Sequence, residues 1–270
     1  MNLQTIPSFF LLKTRFFVVL HCFYSSSPMY IDDKGIVLRC IKYDDKSFIA
    51  HLFTASHGHV TFMVNGSRSK RSGSTARLFQ PLSFLSFQWD AKPTTTLHRM
   101  KEVRLLFVQH DIPFDPVKRS VAMLLAEFMD HALREEAENI DLYTYLEHSF
   151  RWFDIADTDF ANFHLVFLVK MAKFIGIAPN IDAYEEGFLF DLTRSSFVEH
   201  GISATTMLNS RDAALLYRLH LANYESMESI AMSRQDRARM IDYLATYYSI
   251  HLPKFPTLQS LQILQEVMSV

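Results

Sequence analysis

Only two cysteines, Cys22 and Cys40, occur in 270 residues. That excludes a disulfide scaffold and any zinc site built from several thiolates. It fits a reducing compartment, so a cytoplasmic location is expected. No stretch reaches the ~18 uninterrupted apolar residues of a membrane helix, and no membrane partner is expected. The phosphate loop G-x-x-x-x-G-K-S/T is absent, which removes nucleotide hydrolysis by that route. Neither a G-x-S-x-G elbow nor an H-E-x-x-H helix occurs. The expectation is a protein that is not an enzyme, with no catalytic residue, no metal and no cofactor. There is no internal repeat and no low-complexity tract.

What is present is a charge asymmetry. Residues 29–107 carry 12 Lys/Arg and 6 Asp/Glu, a net of +6. Residues 108–270 carry 13 and 23, a net of −10. The two halves therefore suggest separate jobs, and the basic half is the candidate for nucleic acid.

The basic half reads as β-structure. Ile36, Leu38 and Cys40 alternate with Val37, Arg39 and Ile41; Val60, Phe62 and Val64 alternate with Thr61, Met63 and Asn65. Such alternation signals strands with one buried face. Asp44-Asp45 and His57-Gly58 supply turns. Two further strands are predicted over 78–89 and 97–107. The stretch from Asn65 to Gly73 holds Arg68, Lys70 and Arg71 among three serines and two glycines. A segment so polar cannot pack into a core, but it can lay cations and N–H groups along a phosphate backbone. Five strands in ~80 residues fit an OB-type barrel, with an SH3-like barrel as the nearest competitor.

Gly35-Ile36-Val37-Leu38-Arg39, Lys42-Tyr43, Phe53-Thr54, Gly58 and Gly66-Ser67-Arg68-Ser69-Lys70-Arg71-Ser72 occur in that order. This order and spacing resemble the N-terminal domain of the RecO family of bacterial recombination mediators. The resemblance runs from about residue 29 to the C-terminus and is looser in the second half. It favours the OB alternative. The fold class expected is α+β: a five-stranded OB-type barrel over 29–107, then an all-helical domain over 116–270. Residues 1–28, with two apolar runs split by Lys13 and Arg15, read as an upstream extension. A membrane or export signal is the runner-up for that stretch.

Residues 108–115 read as a linker. After it the apolar period changes from two to near 3.6. Asp115 and Pro116 form an N-cap and a first helical position. Val117, Val121, Leu124, Phe128 and Ala132 share one face. Further helices are predicted over 140–153, from after Asp157 to Gly176, and over 211–223, 233–250 and 257–268. Ser233 with Asp236 resembles a capping box. Residues 180–209 read as an irregular insert. Many RecO proteins carry a four-cysteine zinc module there; this chain has none of those cysteines, so the resemblance implies no zinc.

The candidate DNA-binding residues are Arg39, Lys42, Arg68, Lys70, Arg71, Arg77, Lys92, Arg99, Lys101 and Arg104. Scattered charges usually form a solvated face, and the clustered Arg68, Lys70 and Arg71 depart most from that. Tyr43, Phe53 and Trp89 are candidate stacking platforms, though each residue type is more often core. His51, His57 and His59 lie close in sequence, but two histidines on a turn are weak evidence for a metal. Glu127, Asp130, His131 and Glu135 share helical spacing and read as a solvated helix surface. The resemblance implies binding of single- and double-stranded DNA, strand annealing, and association with RecR and the single-strand binding protein SSB, with RecA loaded indirectly. An RNA-binding OB protein is the alternative. An enzyme assembled from scattered carboxylates, such as a nuclease, is a further rival.

Overall fold

The structure, a computed structural model, describes residues 30–65, 75–91, 95–201 and 205–267. The upstream extension lies outside them, as do Arg68, Lys70, Arg71 and Lys92. Five strands close a barrel in the order β1-β2-β3-β5-β4. They are β1 Tyr30–Lys42, β2 Ser47–Thr54, β3 Gly58–Asn65, β4 Phe84–Asp90 and β5 His98–Leu105. β1 is shared: its first half pairs with β4 and its second half with β2. β3 and β5 close the ring in parallel at Phe62↔His98 and Met63↔Arg99. This is the OB arrangement and not the SH3-like one.

The barrel interior is filled by Val37, Leu52, Val60, Phe62, Val64, Leu85, Phe87 and Trp89. In β3 the alternation marks a single buried face, as predicted. In β1 it does not. Ile36, Val37 and Leu38 are all buried, because Ile36 and Leu38 point outward into the core of the helical part. The run predicted as a strand from residue 78 also differs. A short helix, α1 Thr75–Leu78, precedes β4. Phe79 then plugs the barrel end against Phe48, with ring centroids 5.1 Å apart. Pro81 has no N–H to give a ladder, and the chain turns there, with the Ser83 N–H donating to the Gln80 carbonyl at 2.9 Å.

The period change at residue 116 is real. In α2, Pro116–Ala132, the Asp115 carboxylate accepts from the N–H groups of Val117 and Lys118. α3 is Ile140–Ile155 and α4 is Phe163–Phe174. α4 starts later than the apolar stripe predicted, since Asn162 is its cap and Asp159 has φ +63° in the turn before it. α5 Ser210–Leu221, α6 Arg234–His251 and α7 Ser260–Val267 follow. The Ser233–Asp236 capping box is present at the start of α6. Phenylalanines bind the helices together: Phe153 and Phe163 stack with centroids 4.2 Å apart, and Phe150 meets Phe167 at 5.1 Å. Such pairs add to plain burial.

The stretch 180–209, predicted irregular, holds a small sheet in the order β7-β6-β8. Its strands are β6 Leu189–Asp191, β7 Ser196–Val198 and β8 Met207–Leu208. Phe190, Phe197 and Leu208 sink into the helical core, so apolar anchoring holds the sheet down. The linker is held as well. Asp154, almost fully buried at the end of α3, accepts from the N–H groups of His110, Asp111 and Ile112 at 2.7, 3.0 and 2.9 Å.

α7 is tied back to α2 by Glu127. Its carboxylate accepts from the Gln259 and Ser260 N–H groups at 2.9 and 2.8 Å and from the Ser260 hydroxyl. Burial acts to raise the Glu127 carboxyl, but these donors outweigh it and hold it below its ordinary value. A depressed carboxyl contributes stability that is complete above its unfolded value of about 4.3 and is lost as pH falls through the folded value. Glu127→Gln is therefore expected to lower stability at neutral pH and to flatten the acid loss below about pH 4.3. Urea melts at stepped pH check this; an unchanged acid slope would assign the loss to other carboxylates.

Candidate nucleic-acid interface

Strand register sorts the candidate cations by face. On the β1-β2-β3 side, Arg39 pairs with His51 and His51 with Thr61; next along, Ile41 pairs with Ile49 and Ile49 with Met63. Met63 in turn pairs with Arg99 across the parallel seam. Arg39 and Arg99 thus share one outer surface. On the β1-β4-β5 side, Ser86 pairs with Arg104 and Gln88 with Lys101. Lys101 and Arg104 are three positions apart, which in a regular strand would set them on opposite faces. A register shift between Ser86 and Gln88 brings both to the same face, and Glu102 within it has φ +50°.

A third group gathers at one end of the barrel. Ser47 pairs with Asn65, so the β1–β2 turn lies beside the point where the chain leaves β3. Lys42 ends β1 and Tyr43 opens that turn. Residues 66–74, which hold Arg68, Lys70 and Arg71, join this end to α1, where Arg77 is exposed.

Several of these cations already face acids. Lys42 reaches Asp45 at 3.0 Å, but both are largely exposed, and such a pair is worth little. Arg104 lies 3.9 Å from Glu102, also in solvent. Lys101 stands over the Tyr30 ring at 3.9 Å. Arg39 is half-exposed and lies 3.8 Å from Asp130 of α2. Lys42, Lys101 and Arg104 are thus held only by weak surface contacts, while Arg39 also faces the helical part.

Among the aromatic candidates, Phe53 is 0 % and Trp89 2 % exposed, so both are core. The Trp89 indole N–H donates to Asp33 at 3.1 Å inside the barrel. Tyr43 is 62 % exposed and is the one of the three available to stack on a base.

The acids of α2 do not form a solvated surface. Glu127 caps α7, and Asp130 is 1 % exposed beneath the barrel. His59 Nε2 lies 3.3 Å and His51 Nδ1 3.8 Å from Asp130 Oδ1. Burial pulls the Asp130 carboxyl upward, yet the His59 hydrogen bond and the neighbouring imidazoles hold it below its ordinary value. Burial lowers His51. Asp130 is 71 residues from His59, so no local pattern signals their meeting.

The match to known proteins covers both parts. The family profile described as "Recombination protein O N terminal" matches residues 29–108, and "Recombination protein O C terminal" matches residues 113–261. A DNA repair protein RecO of Phocaeicola vulgatus is 43% identical over 235 residues, covering 87% of this chain and 98% of that protein. The DNA repair protein RecO of Bacteroides fragilis is 42% identical over 238 residues, covering 86% and 97%. That of Flavobacterium psychrophilum is 33% identical over 243 residues, covering 89% and 100%. Among the described residues no helix is long and apolar enough to cross a membrane. With an OB barrel, a helical part behind it and both halves matched, the chain belongs to the RecO family of DNA repair proteins.

Proposed function

We propose that this chain binds single- and double-stranded DNA through its barrel, anneals complementary strands, and helps load RecA onto SSB-coated DNA with RecR as a partner. The observation that carries this reading is the exposed Tyr43 at the barrel end, next to Lys42 and close, through Ser47, to Asn65, where the chain enters the basic segment 66–74. An aromatic face beside cations suits a strand whose phosphates are neutralised while its bases stay accessible. Annealing needs only that screening, so no catalytic residue is required. Arg39, Lys42, Arg68, Lys70, Arg71, Arg77, Lys92, Arg99, Lys101 and Arg104 are the phosphate-facing set. The acidic helical part is the side for protein partners.

Strand annealing with and without SSB coating the DNA tests this directly. The chain is expected to accelerate annealing in both cases, with no cleavage when magnesium is added. Acceleration on bare DNA alone would remove the SSB partnership. Equal or tighter binding to RNA of the same sequence would favour an RNA-binding role instead.

A further inference from the structure

We propose that His51, His59 and Asp130 form a binding site for one divalent transition-metal ion of the zinc class, set between the barrel and α2. His51 on β2 and His59 on β3 are near neighbours on one outer face: His51 pairs with Thr61, and Phe53 pairs with His59. Such diagonal positions bring long side chains within reach of each other. Asp130 comes down onto them from α2. The three ligand atoms lie within 4.8 Å of one another. Two of the separations are 3.3 and 3.8 Å, both to Asp130 Oδ1. Four-coordinate zinc with bonds of about 2.0–2.2 Å spaces its ligands about 3.3–3.6 Å apart.

A second, independent observation points the same way. His51 Nδ1 is buried and makes no hydrogen bond. A buried polar atom without a partner is costly, and this one is aimed at the carboxylate oxygen from beyond hydrogen-bond range. An ion between them satisfies it. Arg39 Nη1 faces the other oxygen, Oδ2, at 3.8 Å, which leaves Oδ1 for the metal and orients the carboxylate from behind. Two imidazoles and one carboxylate suit zinc and its neighbours, and do not suit calcium or magnesium. The His51 side chain is 23 % exposed, so solvent reaches the ring although its Nδ1 is buried.

Loading has a proton balance. His59 Nε2 and Asp130 Oδ1 share a hydrogen bond when no ion is bound. The ion takes both atoms, and the proton moves to His59 Nδ1 or to water. Arg39 and Arg134 oppose the added positive charge; both also act on His51. The site is therefore weaker than a closed four-ligand centre. It shares no residue with 180–209, where no cysteine stands. Its effect is to cross-link the barrel to the helical part.

The untagged full-length chain, stripped with EDTA, is titrated with Co²⁺ and then with Zn²⁺. One equivalent of Co²⁺ is expected to give the visible absorption of a tetrahedral site, and Zn²⁺ to displace it. His51→Ala is expected to weaken binding by about 100-fold or more. His51 is partly exposed, so the variant is expected to fold, and circular dichroism checks that it does. Zn²⁺ is expected to raise the Tm of the parent protein and not that of His51→Ala. Absence of a stoichiometric Co²⁺ signal would overturn the proposal, and so would equal binding by folded His51→Ala.

Discussion

Replacing Arg68, Lys70 and Arg71 together by alanine is expected to make the salt dependence of DNA binding markedly shallower. Each phosphate-neutralising side chain releases about one counterion. The slope of log affinity against log salt falls by about 0.9 per contact on duplex and about 0.7 on single strands. Three lost contacts change it by about 2.7 and about 2.1. The loss is the same for every sequence, because phosphate contacts carry no base information. Annealing weakens in step. Thermal stability moves little, since a segment this polar adds few buried contacts. Fluorescence anisotropy across a salt series reads the slope. An unchanged slope in a folded variant would move the DNA surface onto the strand faces. Arg39 with Arg99, and Lys101 with Arg104, then separate the two sides of the barrel.

Gly58→Ala is expected to cost about 3–5 kcal/mol of stability, a loss in the exceptional range for one substitution. Gly58 has φ +67°, a conformation that costs a side-chain-bearing residue about 1–2 kcal/mol. A Cβ there would lie 2.2 Å from the Glu136 carbonyl oxygen and 2.4 Å from that of Ala137. Both are backbone atoms of the α2–α3 connection and cannot swing aside. The next N–H, that of His59, donates to the Glu136 carbonyl at 3.1 Å, and moving the hairpin to relieve the clash would break that bond. Gly187 is the control: φ is +94° but nothing lies within 4 Å of its Cβ position. Gly187→Ala should carry only the conformational cost of about 1–2 kcal/mol. Urea unfolding of the two variants measures the difference. Equal losses would show that the hairpin seats on the α2–α3 connection more loosely than this contact implies.

Much of this architecture was legible from local pattern. Alternation located β1 and β3, the run predicted over 97–107 holds β5, and the caps at Asp115 and Ser233 are in place. Failures came where long-range packing overrode a local reading. In the run 78–83, Leu78 and Phe79 pack on the barrel core and Leu82 joins the helical core, and periodicity alone cannot tell such a plug from a strand. Phe53 and Trp89 are core residues, the reading their residue types favoured over stacking platforms. Asp130 sits at helical spacing among Glu127, His131 and Glu135, and nothing in α2 itself distinguishes it from a solvated acid.

The sequence by itself determined the two-part organisation, the charge division between the parts, the family and the basic segment proposed to meet DNA. Each of these rests on composition or on residues close together in the chain. The tertiary structure alone decided which cations share a surface. Closure of the barrel and the shift opposite Lys101–Arg104 reassign faces that parity would have set otherwise. It also decided that β1 is buried on both sides at Ile36, Val37 and Leu38, that Gly58 seats against the backbone of the α2–α3 connection, and that two strand histidines converge on a helix carboxylate. Those meetings join residues about 70 or more positions apart, and only the packing of the barrel on α2 brings them together.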